Sequence, residues 1–71
     1  MKLHYYPETD SLYIELAAGT AAETREVADG INLDLDSDGR PIGLDIDGAS
    51  GKLSLDTLET IGLPLGRLKA A

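Results

Sequence analysis

Residues 31–47 read Ile31-Asn32-Leu33-Asp34-Leu35-Asp36-Ser37-Asp38-Gly39-Arg40-Pro41-Ile42-Gly43-Leu44-Asp45-Ile46-Asp47. Ile31, Leu33 and Leu35 alternate with Asn32, Asp34 and Asp36, and Ile42, Leu44 and Ile46 alternate with Gly43, Asp45 and Asp47. A period of two marks strands with one apolar face, and Asp38-Gly39 between them is a strong hairpin signal. Centring the turn there pairs Leu35 with Ile42, Leu33 with Leu44 and Ile31 with Ile46. The outer face then sets Asp34 against Gly43, Asp36 against Pro41 and Asn32 against Asp45. No two carboxylates stand directly opposite, which avoids the like-charge penalty. In this register the missing N–H of Pro41 points away from its partner strand, which predicts a sheet edge at that end.

Working outward, Lys2 to Tyr6 and Leu12 to Leu16 read as two further strands joined by the turn Pro7-Glu8-Thr9-Asp10. A four-residue loop pairs Tyr5 with Leu12, Leu3 with Ile14, His4 with Tyr13 and Lys2 with Glu15, the last a cross-strand ion pair. Thr20 to Val27 is a weaker strand whose Glu23, Arg25 and Glu26 suggest an exposed edge. A two-residue Asp29-Gly30 turn would set Val27 opposite Asn32, whereas a three-residue loop, Ala28-Asp29-Gly30, matches Val27 with Ile31 and is preferred. After Gly48 to Gly51, the spacing of Leu55, Leu58 and Ile61 predicts a short helix over 55–61, capped by Ser54 or Asp56 and stopped by Gly62 and Pro64. Two turns of helix do not stand alone, so this one is expected on the apolar sheet face, followed by a tail over 63–71. The fold class is therefore α+β: one domain over 1–71, a mostly antiparallel β-meander of about five strands across 2–47 with a single C-terminal helix.

The chain has 71 residues, too few for two cores, and its burial rests on twelve Leu, five Ile and one Val, with no Phe and no Trp. There is no Cys, hence no disulfide and no thiolate metal site. Self-association is the common remedy for so small a core, and a homo-oligomer is expected. Thirteen acids against six bases give a net charge of −7, and six of the acids fall between Asp29 and Asp47. Such a surface disfavours direct contact with nucleic acid and with anionic membranes. No apolar run reaches a membrane span and no apolar leader follows Met1, so the expected address is the cytoplasm.

Four constellations invite a chemical reading. Asp34, Asp36, Asp38 and Gly39, with Asp45 at the twelfth position, approach the spacing of a helix-flanked calcium loop. Strand period on both sides, Asp45 in place of Glu, and Pro41 at the eighth position oppose it. An acidic hairpin face with an Asp-Gly turn explains the same residues. A calcium-binding module is the alternative function. His4, the one histidine, has Tyr13 and Tyr6 as neighbours but no nucleophile or acid partner, and reads as a surface strand residue. Gly48-Ala49-Ser50-Gly51-Lys52 is a faint phosphate-loop echo without the full spacing. Tyr6 and Tyr13 on the polar face are candidate interface residues, because tyrosine combines apolar area with a polar tip. No catalytic set converges, so no enzyme activity and no cofactor are expected.

His4-Tyr5-Tyr6-Pro7-Glu8-Thr9-Asp10-Ser11-Leu12-Tyr13-Ile14 resembles the opening of the small, mostly bacterial family called domain of unknown function 2283, whose pattern is Tyr-x-Pro-Glu-x-Asp-x-Leu-Tyr-Ile. A second signature is similar to Glu26-Val27-Ala28-Asp29-Gly30-Ile31-Asn32-Leu33-Asp34, followed by Asp38-Gly39 and Ile42-Gly43-Leu44-Asp45-Ile46. The resemblance covers about residues 1–50 in order. It implies a β-meander with a short terminal helix. It carries no established activity, cofactor or catalytic residue, and a loose association with small paired genes of toxin–antitoxin type. The expected function is accordingly a non-enzymatic protein–protein interaction module, acting as a homo-oligomer or with a small partner protein.

Overall fold

Alternation of apolar and polar residues produces five strands: β1 (Lys2–Tyr6), β2 (Ser11–Glu15), β3 (Glu23–Ala28), β4 (Ile31–Leu35) and β5 (Pro41–Asp47). In this computed structural model, which describes residues 1–65, they form one antiparallel sheet in the order β1-β2-β5-β4-β3. The β1–β2 hairpin and the β3–β4–β5 meander are zipped together by β2 against β5. The sole helix among the described residues is one turn, α1 (Ala49–Lys52), directly after β5.

The β1–β2 register is the expected one, Leu3 against Ile14 and Tyr5 against Leu12. Lys2 and Glu15 meet at 4.0 Å with both side chains well exposed, a pair that adds little stability. The ladders align whole columns across the sheet. Leu3, Ile14, Leu44 and Leu33 share one column, and Tyr5, Leu12, Ile46 and Ile31 the next. Both lie on the apolar face. His4, Tyr13, Asp45 and Asn32, and beside them Glu15, Gly43 and Asp34, make the polar face.

Three expectations need correction. First, the β4–β5 register holds from Ile31/Ile46 to Asp34/Gly43, but Leu35 then faces Pro41, with the register shifting between Asp34 and Leu35. The turn is longer than a two-residue Asp-Gly hairpin. The Asp36 carbonyl accepts the Gly39 N–H at 3.0 Å, and the Asp36 N–H reaches the Arg40 carbonyl at 2.9 Å. Asp36 Oδ1 accepts the N–H groups of both Asp38 and Arg40 at 2.9 Å, so the aspartate side chain builds the turn. The extra residue lets both Leu35 and Ile42 be buried. β5 is central in the sheet, and the edge expected at its Pro41 end is local to that end. Only the end at Pro41 outruns β2, whose pairing stops at Glu15/Gly43.

Second, Val27 does not face Ile31. Ala28 does, across Asp29-Gly30 with Gly30 at φ +70°, and the register shifts between Glu26 and Ala28. The irregularity leaves Val27 56% exposed on the edge strand. Third, no helix occupies 55–61. Leu58 and Ile61 are 74% and 87% exposed, and residues 53–65 are irregular. Spacing and capping signals misled here: two turns containing Thr57, Thr60 and Ile61 have too little helical preference without a packed face. Of the tail expected over 63–71, residues 66–71 lie outside the described residues.

Two small clusters hold the sheet. At one end Leu12, Ile46 and Ala49 are buried, with Ile14, Ile31 and Leu44 packed against them. At the other end Leu35 and Ile42 are buried where the β2–β3 connection passes, tied down by Leu16 N–H on the Ile42 carbonyl (2.9 Å) and Ala22 N–H on the Leu35 carbonyl (2.8 Å). Ile46→Ala should destabilise by about 2–5 kcal/mol, a large share of the stability of so small a domain. Ile61→Ala should change stability by under about 0.5 kcal/mol. Chemical denaturation of the two variants measures both, and an equal loss at Ile61 would contradict the placement of the core.

Candidate functional site

The turn Pro7–Asp10 ends on Asp10, which holds a left-handed φ of 51° unusual outside glycine. The reason lies 40 residues away. The Asp10 carbonyl accepts the Ala49 N–H at 2.9 Å, and its carboxylate accepts the Ser50 hydroxyl at 2.6 Å and the Ser50 N–H at 3.1 Å. The Tyr5 hydroxyl donates to the same carboxylate at 2.7 Å. Asp10 thus fastens the first hairpin to α1 and satisfies N–H groups that a helix start leaves unpaired. The hydroxyls of Ser50 and then Tyr5 hold its carboxyl below the usual range, and the hydrogen bond to Asp10 raises the Tyr5 phenol. From the other end of α1, Lys52 Nζ donates to the carbonyls of Asp47 (2.6 Å) and Asp29 (3.1 Å). The segment with a phosphate-loop echo is therefore this one-turn helix, with its serine and lysine already engaged.

On the polar face, Tyr6, Tyr13, Thr24, Asn32, Asp34 and Asp45 line a shallow, open basin of about 520 Å³. Asp34 accepts the Tyr13 hydroxyl at 3.1 Å and the Thr24 hydroxyl at 2.6 Å. Tyr13 lies over Gly43, where a Cβ would overlap its hydroxyl and stand 2.6 Å from Cζ. Only glycine lets the ring cross the central strand to reach Asp34. Burial, followed by Asp34, raises the Tyr13 phenol. Asp45 is raised by burial first, then by the neighbouring carboxylates of Asp47 and Asp34.

The two candidate interface tyrosines therefore differ. Tyr13 is half-buried and engaged within the chain, while Tyr6 is 50% exposed. His4 lies beside Tyr13, ring centroids 6.4 Å apart. The four aspartates of the calcium reading are split. Asp34 and Asp45 stand on the sheet, Asp36 is turned into its own loop, and Asp38 is exposed in that loop. Among the described residues no group of three or more His, Asp or Glu is placed to hold a metal ion. Asp34 is occupied by two hydroxyls, and the basin-lining side chains include no cation.

The apolar face carries a different feature. Leu3, Tyr5 and Leu12 floor a groove of about 670 Å³, walled by Leu53, Leu55 and Leu58. Apart from Leu12 these side chains are 38–74% exposed. Sequence reasoning placed the floor correctly but assigned the wall to a helix. The only signal for the groove was a run of leucines after α1 with no second layer to receive them.

A family model described as "Protein of unknown function (DUF2283)" matches residues 2–50. No curated protein and no solved structure matches the chain. No helix among the described residues is long and apolar enough to cross a membrane.

The two shifted carboxylates have opposite linkage. Asp10, lowered on folding, stabilises fully above the ordinary carboxylate pKa of about 3.9 and loses that contribution as pH falls through its folded value. Asp10→Ala should lower the melting temperature at pH 7, and the gap should narrow in strong acid. Asp45, raised on folding, opposes folding when ionised and recovers stability as pH falls through its folded value. Asp45→Asn should raise the melting temperature at pH 7 and give no gain near pH 3, where the native side chain is itself protonated. Melting curves of both variants across pH check the two signs.

Proposed function

The chain belongs to the DUF2283 family, and on that premise we propose that it is a non-enzymatic interaction module that self-associates through the apolar side of its sheet. One observation carries the reading: the described chain covers only part of the sheet's apolar face. Five apolar residues are buried, whereas Leu3, Tyr5, Leu53, Leu55 and Leu58 are 46%, 45%, 38%, 40% and 74% exposed on or beside one groove. A contiguous apolar surface of this kind marks an interaction site.

The polar face supports the non-enzymatic part. Its basin is open, and its best-placed carboxylate, Asp34, is held by two hydroxyls rather than aimed at a reacting atom. A small protein partner of toxin–antitoxin type would compete for the apolar face. Melting temperature should rise with protein concentration from low to high micromolar, in step with a larger mass by light scattering. A monodisperse monomer at high micromolar concentration, with a fixed melting temperature, would contradict self-association.

A further inference from the structure

The self-association just proposed has two sheet edges available, and they are not alike. β3 is guarded. It carries Glu23, Arg25 and Glu26, its Arg25 and Glu23 side chains pair with each other, and its register shifts at Val27. β1 is less guarded, with Lys2 its one charged side chain beside His4. Its pairing with β2 is unbroken from Lys2 to Tyr6, no proline interrupts it, and no Asp or Glu occurs in residues 1–7. In a chain of net charge −7, two copies repel least along a strand that carries no carboxylate. β1 is the one such strand.

We infer that a second copy of this chain docks on the β1 edge, antiparallel about a two-fold axis at His4, joining two five-stranded sheets into one. The strand is self-complementary in that register. Leu3 faces Tyr5 of the second copy and Tyr5 faces its Leu3, all on the apolar face, while Lys2 faces Tyr6 on the polar face. Leu3 and Tyr5 are the floor of the apolar groove and half exposed, so the pairing sets the two grooves side by side as one trough. Edge hydrogen bonds alone would be marginal. Edge bonds combined with groove burial meet the need. Tyr6 takes part at the rim, and Tyr13 does not.

Residue-resolved amide exchange on the unmodified chain, at low and high micromolar concentration, is the test. The β1 amides that face away from β2 should slow by about tenfold or more with concentration, while those of β3 stay unchanged. Leu3→Lys should weaken association by about tenfold or more, whereas Val27→Lys, at the other edge, should leave it intact. Added salt should strengthen association by screening the net charge. Self-association with unchanged β1 exchange, or with protection at β3 instead, would overturn docking at β1 and leave self-association standing. A monomer at every concentration would overturn both. If Leu3→Lys does not fold, the exchange pattern of the unmodified chain still decides.

Discussion

The sheet has one apolar face, and the described chain has material to cover only part of it. The period-two pattern puts leucine and isoleucine on one side of all the inner strands, and that side must leave water for the sheet to be worth forming. What the described chain supplies to cover it is one turn of helix, one crossing loop and one irregular run of leucines. The two ends are closed by Ala49 over Leu12 and Ile46, and by the 16–22 connection near Leu35 and Ile42. The outer column at β1 stays open. From that shortage follow the small buried set, the groove beside Leu3 and Tyr5, and the proposed need for a second molecule.

The polar residues do a different job. Asp10 joins the first hairpin to α1 through three donors on Tyr5 and Ser50 and a backbone bond to Ala49. Tyr13 joins β2 to β4 across Gly43 by its bond to Asp34. Asp36 folds the turn that follows β4. Tyr5, Asp10 and Tyr13 belong to the first family signature, and Asp34 and Gly43 to the second. In this chain residues of the two signatures meet at joints between strands. Asp45, raised by burial and then by the carboxylates of Asp47 and Asp34, is the exception: its ionised form opposes folding.

Much of this was legible in the sequence because strand alternation and short turns are local. The whole β1–β2 register and four of the five β4–β5 pairs follow from matching apolar residues across a turn. The failures have local explanations too. Asp38-Gly39 signalled a turn correctly, but the side chain of Asp36 lengthened it and moved Leu35 opposite Pro41. Leucine spacing after Gly51 suggested a helix, but residues 53–65 are irregular instead, and Leu53, Leu55 and Leu58 wall the groove. The candidate site was less legible. Asp10 reads as an ordinary turn residue until Ser50 is brought to it, and nothing local announces a contact 40 residues away. The pairing of β2 with β5, which creates that contact, is likewise non-local.

The central claim is that the apolar face is open in the single chain and covered when two chains meet. Methyl-resolved relaxation enhancement by a soluble paramagnetic probe reads that face directly. The account predicts strong enhancement at Leu3 and Leu55 in dilute solution and a marked fall as concentration rises, while Val27 on the far edge stays strongly enhanced throughout. Enhancement at Leu3 and Leu55 that is already weak in dilute monomer, or strong and independent of concentration, would contradict it.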